Sequence, residues 1–128
     1  MATNMLTIFN QQFEELLNDI QSVFPEDPDI LAAQKAILTI KKMNPKLLVK
    51  IWKKYVYIPY QSYIDNGDIS FFLEKDYSND LSKNDNAEAI MEAINRLRNP
   101  VKQMSIENKS KVMKYIQNLS KLCLLVPQ

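Results

Sequence analysis

A single glycine, Gly67, in 128 residues confines this chain to folds that need almost no left-handed or tightly bent backbone. Turn-rich β sandwiches depend on such positions, and phosphate-cradling loops of the GxGxxG or GxxxxGK[ST] kind cannot be written with one glycine. What the sequence offers instead is apolar residues at helical spacing. Leu6, Phe9, Phe13, Leu16, Leu17, Ile20 and Phe24 form one stripe, with Glu14, Glu15 and Asp19 off it. Pro25 ends that helix. Asp27 followed by Pro28 reads as an N-cap and a proline at the first helical position, opening a second helix to about Met43 with Ile30, Ala33, Ile37 and Ile40 inward.

Asn44 and Pro45 repeat the cap-then-proline signal and start a third helix whose apolar side is Leu47, Leu48, Ile51, Trp52 and Tyr55. Pro59 is expected to break or kink the chain after Ile58. A short helix through Ile64 then stops at Asn66 and Gly67, and Asp68 caps another turn carrying Phe71, Phe72 and Leu73. The polar stretch Ser78–Asn86 reads as a loop. Ala87, Ile90, Ile94 and Leu97 define a helix ending near Asn99 and Pro100. Ser105 caps the last helix, with Val112, Ile116, Leu119 and Cys123 inward. No segment alternates with period two and no linker divides the chain. The expected fold is all-α: one domain over residues 1–128, a compact bundle of five to six helices with short connections punctuated by proline and glycine.

The inventory narrows the chemistry. With no histidine, the commonest general base, the usual zinc imidazole and every Ser-His-Asp or Cys-His arrangement are missing. Asp65 and Asp68, with Glu74 and Asp76 nearby, fail the EF-hand pattern and are better explained as helix terminator and cap. Carboxylate acid–base chemistry would need a cleft, for which a bundle of this size has little room. Cys123 lies on the apolar stripe of the last helix. It reads as a small buried hydrophobe, although Lys121 nearby can lower a thiol pKa. Met91, Met104 and Met113 read as core filler or an adaptable binding surface. The reading is non-enzymatic, with no cofactor and no metal. A lone cysteine, no secretory signal and no bilayer-length apolar run point to an intracellular, reducing compartment without membrane insertion.

Charge is where the sequence departs from the average. The net charge is +1, yet residues 1–34 carry six acids and no base, and residues 35–54 carry seven lysines and no acid. Residues 65–92 hold eight acids against two lysines, and residues 93–128 hold seven bases against Glu107. At 100° per residue, Lys46, Lys50, Lys53 and Lys54 share one arc of the third helix, beside Trp52, Tyr55, Tyr57, Tyr60 and Tyr63. A solvated face of an ordinary amphipathic helix accounts for this pattern first, and core packing accounts for the aromatics. As a functional surface, Lys42, Lys46, Lys50, Lys53 and Lys54, with Lys111 and Lys114, would bind either an acidic protein or nucleic-acid phosphates. Complementary blocks also suit head-to-tail assembly, or they neutralise each other within one fold. Leu122, Leu124, Leu125 and Val126 make the last helix apolar around much of its circumference. That end is either enclosed by the first helix or offered to a partner.

Three strings carry a resemblance: FNQQFEELLNDIQSVFPEDPDI, NPKLLVKIWKKYVYIPY and GDISFFLEKDYSNDL. Together they resemble a family of small helical proteins of the nucleocytoplasmic large DNA viruses, over roughly Phe9 to Leu81 and the last two helices. The family has no assigned activity, so no functional residue carries over. The resemblance implies a setting, host cytoplasm or virion, and a structural or DNA-associated role. The Lys, Asn and Ile bias fits an AT-rich genome. From residues and resemblance together, the expected function is a protein–protein interaction or scaffold module, possible as a minor virion-associated structural protein. A sequence-nonspecific nucleic-acid binder is the alternative.

Overall fold

The computed structural model describes residues 5–74 and 85–126 and contains helices but no strand among them. Helix α1 (Met5–Val23) buries Phe9, Phe13, Leu16, Leu17 and Ile20, the stripe read from the sequence. Helix α2 (Pro28–Met43) starts as expected: Asp27 Oδ1 accepts the backbone N–H groups of Asp29 at 2.8 Å and Ile30 at 3.2 Å. It buries Ile30, Ala33 and Ile37, while Ile40 is half-buried. Helix α8 (Ile106–Leu125) is capped by Ser105, whose Oγ accepts from Asn108 N at 3.1 Å. Its buried face holds Val112, Ile116, Leu119 and Cys123, as the spacing predicts. Five helical units, α1, α2, the segment 47–65, α6 (Asp85–Arg96) and α8, pack around one continuous core. Met91, Met104 and Met113 are all inside it.

Proline departs from expectation at Pro45 and Pro100 and gives the kink, not the break, at Pro59, each for a local reason. Asn44 closes α2 through its N–H to Ile40 O, and its Oδ1 accepts from Lys46 N at 3.2 Å. Pro45 and Lys46 thus form a turn, and α3 (Leu47–Ile51) begins later than the cap-and-proline pattern implies. At Pro59 the chain does not break. The turns before it widen into a π-helical segment (Trp52–Tyr57), with Ile58 N–H reaching back five residues to Lys53 O. A proline ring collides with the carbonyl four residues earlier, and the wider turn absorbs that collision. The helix then continues as α4 (Ile58–Asp65), with the bend displaced to Tyr60 at φ −122° and ψ 25°. At Pro100 the helix ends early instead. α6 stops at Arg96, and a new turn, α7 (Arg98–Lys102), takes Pro100 into its first turn, where no N–H is required. Most of the expected loop Ser78–Asn86 lies outside the described residues; Asp85 and Asn86 open α6.

Gly67 is used where the sequence placed it. It follows α4 at φ 71°, and Asp68 then accepts from Ser70 N and Oγ to start α5 (Ser70–Glu74). Those two hydrogen bonds hold the exposed Asp68 carboxyl below its ordinary pKa. A Cβ on Gly67 would meet only Gln117 Nε2, at 3.4 Å, so space is not the constraint. Gly67→Ala is therefore expected to cost about 1 kcal/mol through backbone strain alone. Urea unfolding should show the Gly67→Asn variant losing less than the alanine variant, because asparagine tolerates this conformation better.

Candidate interaction surface

The direction of α8 against α1 decides which side chains share an end of the bundle. Tyr115 donates its hydroxyl hydrogen to Asp19 Oδ2 at 2.6 Å. That hydrogen bond, partial burial and the negative charges of Asp19 and Glu15 push the Tyr115 pKa up to about 12. Trp52 donates its indole N–H to Ser120 Oγ at 3.1 Å, and its ring meets those of Phe9 and Phe13 edge-on. Asp19 is thus level with Tyr115, and Phe9 and Phe13 are level with Ser120. The two helices run antiparallel. The last turn of α8 therefore lies with the first turns of α1, and Val23 lies with the start of α8, across a small cavity it shares with Met104, Asn108 and Lys111.

The first end gathers the candidate residues of two sequence blocks. Asn10 donates its side-chain N–H to Pro45 O at 3.1 Å, and Lys41 pairs with Glu14, which ties the end of α2 and the start of α3 to α1. Lys42, Lys46, Lys50 and Lys54 are exposed, and Lys53 is half-buried. Among the described residues none of these five forms an ion pair, and Lys54 sits 5.4 Å from the centre of the Tyr55 ring. Lys53, in the π-helical turn, comes within electrostatic reach of Cys123. The apolar tail divides. Val126 is buried and Leu122 half-buried against the core, whereas Leu124 and Leu125 are 52% and 61% exposed. Met43, at the end of α2, is 77% exposed. Exposed lysines and exposed apolar side chains thus occur at the same end of the bundle.

Lys111 and Lys114 belong elsewhere. They line an open groove between α1 and α8 together with Gln12, Glu15, Asp19, Tyr115 and Asn118, so acids of the same chain face them. Other acids of the N-terminal block are also engaged internally: Glu14 by Lys41, and Asp29 by Arg96 at 3.1 Å. The opposed charge blocks therefore meet, among the described residues, at two ion pairs, Glu14–Lys41 and Asp29–Arg96. Glu26 is exposed, and, as for Glu15 and Asp19, no base among the described residues forms an ion pair with it. Together with Val23, Phe24, Pro25 and Asp27 it lines an open concavity of about 430 Å³ at the second end. Sequence reasoning passed over this concavity because its residues read only as a helix stop and a cap.

Of the aromatic residues, Trp52 and Tyr57 are buried, Tyr55 and Tyr60 are half-buried, and Tyr63 is exposed. Among the described residues, no three His, Cys, Asp or Glu side chains are grouped so as to hold a metal ion. No helix there is long and apolar enough to cross a membrane. Compared with known proteins, the chain matches no family model, no curated protein and no solved structure.

Proposed function

We propose that this chain is a non-enzymatic protein–protein interaction or scaffold module whose contact surface is the lysine- and leucine-bearing end of the bundle. One observation supports the reading above the rest. Glu14 and Asp29 of the N-terminal block pair with bases of the same chain, while among the described residues Lys42, Lys46, Lys50 and Lys54 have no acidic partner and share an end of the bundle with exposed Leu124 and Leu125. Solvation alone explains exposed lysines, but not exposed leucines at the same end. An interface built this way draws affinity from the apolar contact and orientation from the charge. In the setting implied by the resemblance to giant-virus proteins, such a module would serve as a minor structural component.

The alternative, phosphate binding to nucleic acid, uses the same lysines but has no use for the leucines. The two separate in a titration with labelled probes of equal charge at ~150 mM salt, where contacts made only through phosphates weaken steeply. One probe is an acidic amphipathic helical peptide and the other a random-sequence DNA duplex. The peptide should bind more tightly, and Leu125→Glu should weaken the peptide at least tenfold while leaving the duplex within about twofold. Tighter binding of the duplex, lost on Lys46→Glu and Lys50→Glu but not on Leu125→Glu, would transfer the surface to nucleic acid. Binding of neither probe would remove both readings.

A further inference from the structure

We infer that the cleft between α4 and α8 binds a small free zwitterion of the α-amino-acid class, Asp65 taking its ammonium group and Lys121 its carboxylate. The cleft has a volume of about 160 Å³ and is lined by Tyr57, Ile64, Asp65, Gln117, Ser120 and Lys121. That is several times the space one water needs. It shares no lysine or leucine with the proposed interaction surface, so its ligand is a second function and not a detail of the first.

The two charged residues of the cleft are opposite in sign and exposed, yet they do not pair. Asp65 is the last residue of α4, and Lys121 lies on α8. Among the described residues neither forms an ion pair. Asp65 also has no structural task. Backbone groups close α4: Asn66 N–H donates to Ser62 O, Gly67 N–H to Ile64 O and Asp68 N–H to Tyr63 O. A carboxylate at this point stands beside the negative end of the helix dipole, and α4 has no base in its last turn to offset it. Asp65 therefore marks a place that attracts a cation, and no lysine or arginine of the described residues pairs with it there.

The uncharged groups of the cleft supply one donor and one acceptor more. Tyr57, only 7% exposed, accepts from Gln61 Nε2 at 3.1 Å, and its own hydroxyl hydrogen has no acceptor among the described residues. It is free to donate to a carboxylate. Gln117 donates Nε2–H to Ile64 O at 3.0 Å, which fixes the amide and leaves Oε1 as an acceptor for an ammonium group. Ser120 spends its hydrogen on Ile116 O and accepts from Trp52, so it lines the cleft without offering a donor. Tyr57 also closes the π-helical segment, a geometry that recurs at functional sites. A ligand of one sign is attracted by one charged residue and repelled by the other. Only a molecule carrying both charges gains from both.

Amide NMR of the isotope-labelled full chain tests this, with L-alanine added to ~50 mM at constant ionic strength. Saturable shifts are expected at Tyr57, Ile64, Gln117 and Lys121, with a Kd on the order of 1 mM. N-acetylalanine keeps only the carboxylate and alaninamide only the ammonium group, so each should bind at least about tenfold more weakly. Asp65→Asn and Lys121→Met should each weaken alanine by a similar factor, while Lys121→Arg keeps most of the binding. Asp65→Asn should bind N-acetylalanine no more weakly than the unaltered chain does, because the repelling carboxylate is gone. The replaced side chains are exposed, and circular dichroism confirms that each variant keeps its helix content. Absence of saturable shifts overturns the inference. So does equal binding of either single-charge analogue, or indifference to Asp65→Asn and Lys121→Met. Shifts confined to the groove of Glu15, Asp19, Lys111 and Lys114 overturn it too, since any exposed charges would then serve. None of these failures touches the interaction module, which the acidic-peptide titration reads at other residues.

Discussion

Trp52→Ala is expected to lower the unfolding free energy by about 3–5 kcal/mol, the range for emptying a large aromatic site in a packed core. The indole joins three elements. It belongs to the π-helical segment, meets Phe9 and Phe13 of α1 at ring-centroid distances of 6.4 and 5.6 Å, and donates to Ser120 of α8. Truncation removes both ring contacts and the hydrogen bond at once. Against a typical total stability of about 5–15 kcal/mol, the loss is a large fraction and should move the urea midpoint down by more than about 1 M. Trp52→Phe keeps much of the volume and loses the donor, so it should cost clearly less. A cycle combining Trp52→Phe with Ser120→Ala isolates the hydrogen bond, expected at about 1 kcal/mol of coupling. A Trp52→Ala loss below about 1 kcal/mol would mean that α1 and α8 are held together without the indole.

How far the sequence foretold this arrangement depends on how local each cause is. Asp27, Ser105 and Gly67 act on neighbouring backbone groups, so their roles were legible from residue type and position. The buried stripes were legible for the same reason: period 3.6 is a property of the helix itself. The prolines were only half legible. Whether Pro59 breaks a helix depends on whether the preceding turn can widen, and whether Pro100 ends one depends on where a new first turn starts. Neither follows from the proline alone. Charge blocks were visible along the chain, but which acid meets which base required the antiparallel placement of the helices. Lys111 and Lys114 were grouped with the lysines of the third helix by sign, yet the bundle sets them facing Glu15 and Asp19. Asn10 carried an available signal, a polar residue next to Phe9 on the buried side of α1; the structure uses it to hold Pro45. The hollow at Val23–Asp27 had no signal, because concavity is a property of the assembled end.

Cys123 should react with a thiol reagent at least about a hundredfold more slowly in the folded chain than in denaturant, because burial acts on it twice. Its side chain is fully buried, and the thiol donates to Ser120 O at 2.9 Å. Burial pushes its pKa from 9.0 up to about 11, and the positive charge of Lys53 offsets only part of that rise. The nearby cation is thus Lys53 rather than the sequence neighbour Lys121, which lines a separate cleft with Asp65 and Tyr57. At pH 8 the thiolate fraction is then about one in a thousand, against about one in ten for an unperturbed thiol, before access is considered. The same shift has a signed consequence for stability. Below pH 9 the thiol is protonated whether the chain is folded or not. Between pH 9 and 11 the unfolded chain loses this proton first, so stability must fall as pH rises through that window. The fall amounts to about 2–3 kcal/mol from this group and levels off above pH 11. Tyr115 adds a decline between pH 10 and pH 12 by the same logic, reduced by solvent screening because the side chain is only partly buried, and a Tyr115→Phe background removes it. In that background, urea unfolding at pH 8 and pH 10.5 should show a larger loss for the Cys123-containing chain than for Cys123→Ala. Equal losses would mean that the thiolate is accommodated inside the bundle, with Lys53 close enough to balance the cost of burying it.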